Sequence, residues 1–510
     1  MVFEKEIATH EQMVAKALSM GGEKKLAKRK EQNVLNARER LGLLFDDNTF
    51  FETGLFATSA NPADADKTPG DAKLTGFGKI NGRKASAIAN DFTVKGASSS
   101  TINGKKMEHM KSLAKKKGIP LIFLGESTGA RMPDVMGAKG IGGGSNPIQY
   151  IRQRETPWVS AVLGHCYGSS SWYTVMSDFV VMRKGSIMAV SSPALASLAT
   201  REEVDPEDLG GWRLHSDVTG IADVVVNTDE EAIEMIKKYL SYMPSHHNEA
   251  PPRLPVPEGS DDAVKDILEL IPESRTKVYD VRKVIKAVVD KDSYFELKAR
   301  FGKSIVTAFS RIDGRSVGII ANNPLNKGGA IDADAADKAT SFIVQCDSFN
   351  IPIVFLVDQP GFLIGIEAEK KRMPGKVMNW MNALSLCTVP KISIILRKTY
   401  GQAVLNMGGS GNADEVAAWW TADVGFMDPY SGVTIVHGIK REDNPELFDK
   451  YLAEMAKDTS AYSLAAIYGA QNVIDPRETR DYLKNVLEVH ESNLTNGVGE
   501  HLMRNWPTTF

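Results

Sequence analysis

Two short stretches of this sequence could stabilise an anion without any ionisable side chain. Gly168-Ser169-Ser170 follows an apolar run at 159–163, and Gly401-Gln402-Ala403 follows one at 391–396. In each, a small residue stands where a strand gives way to a helical pattern. Backbone N–H groups at such a junction lack partners within the helix and carry partial positive charge. Two of them make an oxyanion hole for an enolate or a tetrahedral oxyanion. A tight packing turn would explain either junction alone. Two junctions at equivalent places favour catalysis.

Other candidate chemistry is weaker. Gly125-Glu-Ser-Thr-Gly129 fits the GxSxG pattern of a nucleophile elbow, which needs a helix directly after the serine. Pro133 and the Gly-rich stretch 137–144 argue against that helix, so a structural turn is expected. Gly140-Ile-Gly-Gly-Gly144 reads as a flexible loop without a phosphate-cradle pattern. His246-His247 reads as exposed, and His165-Cys166 has no second ligand cluster, so no metal site is expected.

The elements that carry these stretches repeat. Gly82-Arg83 and Gly314-Arg315 stand 232 residues apart, as do Pro120-Leu-Ile-Phe-Leu124 and Pro352-Ile-Val-Phe-Leu356, and Gly129 and Gly361. Tyr167-Gly168 and Tyr400-Gly401 stand 233 apart; Arg38 with Phe51-Glu52 and Arg282 with Phe295-Glu296 stand 244 apart. An ordered ladder of offsets means two copies of one fold. The five prolines between 244 and 257 favour a stiff connection. The expected domains are 1–247 and 259–510, joined by a Pro-rich linker at 248–258. Within the first half, runs at 85–89, 120–124 and 159–163 predict buried strands. Helical spacing appears at 106–117 and again after Gly168, through Trp172, Val175, Met176 and Phe179. Alternating strands and helices make the class α/β. Residues 5–45 read as helical, with 23–30 as a solvated face.

The chain has 510 residues, with 61 basic and 64 acidic side chains. This balance gives no electrostatic reason to expect nucleic acid. No apolar run approaches the ~20 residues of a membrane span. The N-terminus lacks a secretory pattern. The three cysteines form no pair at CxxC spacing. A cytoplasmic location is expected.

The chain resembles the carboxyltransferase (β) subunits of biotin-dependent acyl-CoA carboxylases and related decarboxylases. The residues that carry the resemblance span nearly all of it: Ala37-Arg-Glu-Arg40, Ala89-Asn-Asp-Phe-Thr93, Gly129-Ala-Arg131, Leu209-Gly-Gly211, Tyr279-Asp-Val-Arg282, Ala336-Asp-Lys338 and Asp358-Gln-Pro-Gly-Phe-Leu363. It implies two tandem crotonase-like ββα-spiral domains, self-associated as a dimer or as a trimer of dimers. Acyl-CoA would bind the first domain, and carboxybiotin would enter from the second. The first oxyanion hole would fall on Gly168 and Ser169 and hold a thioester enolate. The second would fall on Gln402 and Ala403 and hold the biotin ureido oxygen. Gly129, Ala130, Arg131 and Tyr167 would line the acyl-CoA side. Gly361, Phe362, Gly401 and Leu405 would line the other; Leu405 stands where many members carry an Asp that tunes acyl choice.

No biotinylation site and no ATP-binding domain are read in the chain, so the biotin carrier and biotin carboxylase are expected on other polypeptides. Two rivals remain at this point. One is a biotin-independent crotonase-like decarboxylase, hydratase or hydrolase acting on acyl-CoA. The other is a non-catalytic subunit of a heteromeric carboxylase.

Overall fold

The computed structural model of the chain describes residues 3–138 and 147–507. The stretch 140–144, expected to be a loop, lies outside the described residues. The chain divides into two compact units, Met1–His247 and Asn248–Phe510. The stretch 248–258 falls in the second unit, where the Leu254 N–H donates to Gly314 O at 3.0 Å.

The first unit holds strands β1 (Phe51–Thr53), β2 (Lys73–Ile80), β3 (Arg83–Asn90), β4 (Leu121–Ser127), β5 (Trp158–Tyr167), β6 (Phe179–Arg183), β7 (Ile187–Ala189) and β8 (Val224–Val226). They pair in the order β1-β2-β3-β4-β5-β6-β8, with β7 also on β5. The second unit holds β9 (Phe295–Leu297), β10 (Ile305–Ile312), β11 (Arg315–Asn322), β12 (Ile353–Gln359), β13 (Lys391–Tyr400), β14 (Glu415–Trp419), β15 (Asp423–Gly425) and β16 (Asn472–Ile474). Its path is the same, β9 to β14 and then β16, with β15 on β13. In both, the first three strands are antiparallel and the rest are parallel.

Sequence explains the layers. β4 and β12 are buried along their whole length, as a parallel strand covered on both faces must be. The crossover from β3 to β4 runs through helix Thr101–Lys117. Ser100 and Asn103 form its capping box, and Gly118 ends it at φ 62. The crossover from β11 to β12 runs through helix Ala333–Ser348, capped by Asp332. Phe123, Trp158, Tyr173 and Met110 pack one first-unit core; Ile394, Val354 and Trp419 belong to the second unit's.

Three expectations need correction. Phe179 starts β6, paired with Val159, because the helix after Gly168 stops at Val175 and a turn intervenes. His246 and His247 are half-buried. His247 N–H donates to Glu155 O at 3.1 Å, and the His246 ring fills the space beside Gly118. Helix Glu23–Glu31 is not wholly solvated, because Arg29 is buried against Glu126.

Candidate active site

β4 and β5 end together. Their register shifts between Gly125 and Ser127, and β12 and β13 shift between Val357 and Gln359, 232 residues on. A bulge there re-aims the chain as it leaves the sheet. The segments beyond it turn on glycines with positive φ: Gly129 at 100° and Gly168 at 61°, Gly361 at 126° and Gly401 at 68°. Side chains rarely adopt these angles. The turns are close neighbours in each unit. A Cβ built on Gly168 would lie 4.0 Å from Gly129 Cα, and one on Gly361 would lie 4.0 Å from Tyr400 O.

Backbone accounting identifies the free donors. Ser99 pairs with the first turn on both sides, donating its N–H to Gly129 O at 2.8 Å and accepting the Arg131 N–H at 2.8 Å. The Ala130 N–H between them has no partner among the described residues. The same holds for Ser169 N–H, at the first position of helix Ser169–Val175. Gly168 itself supplies no donor, because its N–H is shared between Ala189 O (3.3 Å) and Val190 O (3.2 Å). It gives the junction its conformation instead. In the second unit, Ile331 brackets Phe362 as Ser99 brackets Ala130, leaving the Phe362 N–H without a partner among the described residues. The Gln402 and Ala403 N–H groups likewise have none there, while Gly401 N–H donates to Gly425 O at 3.0 Å. Each unit therefore presents backbone amides from two adjacent turns, the arrangement that can receive an oxyanion.

The surroundings fix the turns. Arg131 is 4% exposed and turned inward onto Asp71, Asp134 and Ser98 O, so it holds the loop and does not reach a ligand. Ser127 is fully buried; its Oγ donates to Ala97 O at 2.9 Å and accepts the Gly129 N–H at 3.2 Å. It is a strut, as the turn reading expected, and not an exposed nucleophile. Ser99 and Ser169 hydroxyls lie 3.1 Å apart. Tyr167 OH meets His165 Nδ1 at 2.9 Å, and Tyr400 OH donates to Asp423 Oδ2 at 2.6 Å. Phe362 and Leu405 are half-buried, and Gln402 is exposed. Burial pushes the Cys166 thiol up to about 12, so it stays neutral and unreactive.

Sequence reading missed a buried ionic layer beneath the first turn. Glu126 receives Arg29 at 2.7 Å and Arg40 at 2.6 Å, and Arg40 also pairs with Asp229 at 2.8 Å. Burial pushes the Glu126 carboxyl up, but Arg40 and Arg29 outweigh it and hold it below its ordinary range. It also missed two lysines joined by the 232 offset. Lys106 donates to Gly54 O, Gly70 O and Lys73 O. Lys338 donates to Lys298 O, Phe301 O and Ile305 O. Extending the offset ladder through every charged residue would have found this pair. Among the described residues, no group of three His, Cys, Asp or Glu side chains could hold a metal ion. No helix there is long and apolar enough to cross a membrane.

Matching amide-bearing turns thus stand on two copies of one α/β sheet. The chain matches the carboxyl transferase domain over residues 28–501. It is 36% identical to the methylmalonyl-CoA decarboxylase subunit alpha of Veillonella parvula over 505 residues, covering 97% of each chain. It is 35% identical to the propionyl-CoA carboxylase carboxyltransferase subunit of Haloferax mediterranei, covering 92% of each. Among solved structures, transcarboxylase 12S superposes with a TM-score of 0.90 at 32% identity over 96% of both chains. The chain belongs to the carboxyl transferase family, and its two units carry the tandem crotonase-like fold of that family.

Proposed function

We infer that the protein is an acyl-CoA carboxyltransferase, moving a carboxyl group between biotin on a separate carrier and the α (or vinylogous) carbon of an acyl-CoA. The observation that carries this reading is the recurrence of free amides on matching turns, Ala130 and Ser169 in one unit and Phe362, Gln402 and Ala403 in the other. Two reactants that each become anionic need two such sites. The solved transcarboxylase 12S has methylmalonyl-CoA bound and assembles as a hexamer, which supports acyl-CoA binding and self-association for this chain as well.

In this reading the thioester oxygen accepts the Ala130 and Ser169 N–H groups, which strengthen their hold as the α-carbon loses its proton or its carboxyl group. Those donors are fixed before reaction, so no reorganisation accompanies the charge. Gly129, Gly168 and Tyr167 shape this site, with Ser99 and Arg131 holding it from behind. The second unit's residues fit a ureido oxygen, because Gln402 and Ala403 offer unpaired donors and Gly361, Gly401, Phe362 and Leu405 flank them. Biotin, when bound there, would supply the carboxyl group and a base for the α-proton. Biotin carboxylase and the biotin carrier are the partners expected from the family.

The test is transfer of carboxyl from CoA thioesters to free biotin or a biotinylated carrier by the purified protein. No transfer across short, branched and aromatic thioesters would overturn the reading. Thioester turnover without biotin would favour a decarboxylase or hydrolase instead.

A further inference from the structure

Lys73 opens β2 and is fully buried. Its Nζ has one hydrogen-bond partner among the described residues, Ala97 O at 3.1 Å. The same carbonyl accepts Ser127 Oγ at 2.9 Å, and Ser127 Oγ accepts the Gly129 N–H at 3.2 Å. Three successive hydrogen bonds therefore join the lysine to the turn that presents the Ala130 amide. An ammonium with a single acceptor in a dry interior is costly, so its retention calls for a reason beyond packing. The second unit packs the same strand position with Ile305, also fully buried, so the fold itself does not require a cation there.

The charges around Lys73 leave a positive balance. Asp71, just before β2, is committed to Arg131 together with Ser100 and Asn103. Lys106, on the helix above, is committed to three carbonyls. Cys166 on β5 is a neutral thiol. Of the charged groups that act most strongly on Lys73, Asp71 is an anion and Arg131 and Lys106 are cations, and Arg131 is also paired with Asp134.

We propose that Lys73 is a positioning residue for the anion formed at the first unit's amides, its buried ammonium standing behind the Ala130 turn as a fixed positive charge that favours the enolate over the neutral thioester. This rests on the acyl-CoA reading. A charge a few bonds behind an oxyanion hole acts through a low-dielectric interior and discriminates by charge, not by shape. Burial lowers the Lys73 pKa to about 7, so the effect is strongest below pH 7 and fades as the lysine deprotonates above it.

The test is binding, measured by calorimetry, of two ligands to the full chain. One is a CoA thioester; the other is a nitroalkyl-CoA analogue in its nitronate form, which carries an enolate's charge. Lys73→Met is expected to weaken nitronate binding by about tenfold or more while leaving thioester binding within about twofold. In the unaltered protein, the preference for nitronate should fall as pH rises from 6 to 8.5, and Lys73→Met should flatten that profile. A merely structural lysine would move both affinities together. Equal discrimination in the two proteins overturns this inference and leaves the acyl-CoA reading standing. Should the variant not fold, a pH-independent preference in the unaltered protein overturns it. Failure of the unaltered protein to bind either ligand overturns both readings.

Discussion

The turn at Ala130 in the first unit and the turn at Phe362 in the second share a backbone and differ in almost everything behind it. Ser99 brackets the first and Ile331 the second. Ser127 braces the first turn; at the matching place in the second, Gln359 donates to Thr399 Oγ1 and Tyr400 O. Arg131 follows the first turn and is ion-paired with Asp71, whereas Leu363 follows the second. The shared bulge and glycines set where amides point. Under the proposed function, the differing shells would set what each group of amides holds. A polar, net-cationic setting suits a discrete anion. The second turn has Ile331 beside it, Leu363 after it and the buried Asp358 and Gln359 before it, with Gln402 exposed nearby.

Removing one amide at a time would break the comparison most sharply. Ser169 is the first residue of its helix, where proline fits while deleting the N–H. Ser169→Pro is expected to lower kcat for carboxyl transfer by about 10²–10³-fold. Gln402 has φ −65°, also suited to proline. Gln402→Pro should reduce transfer to biotin while leaving CoA-thioester binding unchanged, as measured by calorimetry. Loss of thioester affinity in both variants would show that the units do not divide the work.

The buried carboxylates come next. Glu126 is the hub for Arg29 and Arg40, and Glu126→Gln leaves two buried guanidinium groups short of charge. The expected loss is about 3–5 kcal/mol in chemical denaturation. Its counterpart Asp358 pairs with Arg397, which also donates to Pro272 O, Ser274 O and Lys277 O. Asp358→Asn should therefore cost less, about 1–3 kcal/mol. Acid sensitivity follows from the same carboxylate. A folded pKa below the unfolded one gives stability that is complete above the ordinary carboxylate range and lost as pH falls through the folded value. Glu126→Gln should flatten that acid limb in a pH series of denaturation curves. The smallest effect is expected from Ser127→Ala. Losing its two strut hydrogen bonds costs about 1–2 kcal/mol and at most about tenfold in kcat, whereas loss of a nucleophile would abolish turnover.

The sequence made much of this visible, because strands and turns leave local signals. The runs at 85–89 and 159–163 lie within β3 and β5, the run at 120–124 lies in β4 apart from Pro120, and the helix expected at 106–117 extends back to Thr101. Spacing after Val175 predicts a helical position for Phe179; only its pairing with Val159 makes it a strand residue. The amide junctions could be located, yet not which N–H groups were already spent, since Ala189 and Val190 lie more than 20 positions from Gly168. Buried charge was least legible. Arg29 sits in a run of lysines, and its partner Glu126 is 97 positions away. Nothing adjacent to Lys73 marks it as interior; comparison with Ile305 does.

The lysine clamp has one more consequence. Lys106 holds Lys73 O as Lys338 holds Ile305 O, the Arg38–Glu52 pair recurs as Arg282–Glu296, and Asp46 and Asp290 each accept two N–H groups of a following turn. A duplicated chain is its own internal control. What both copies kept is what the architecture cannot lose; what one copy changed marks where an ancestral surface was released to specialise. Grafting a residue from one copy onto the other at Lys73 and Ile305, or at Ser99 and Ile331, would replay that divergence one step at a time.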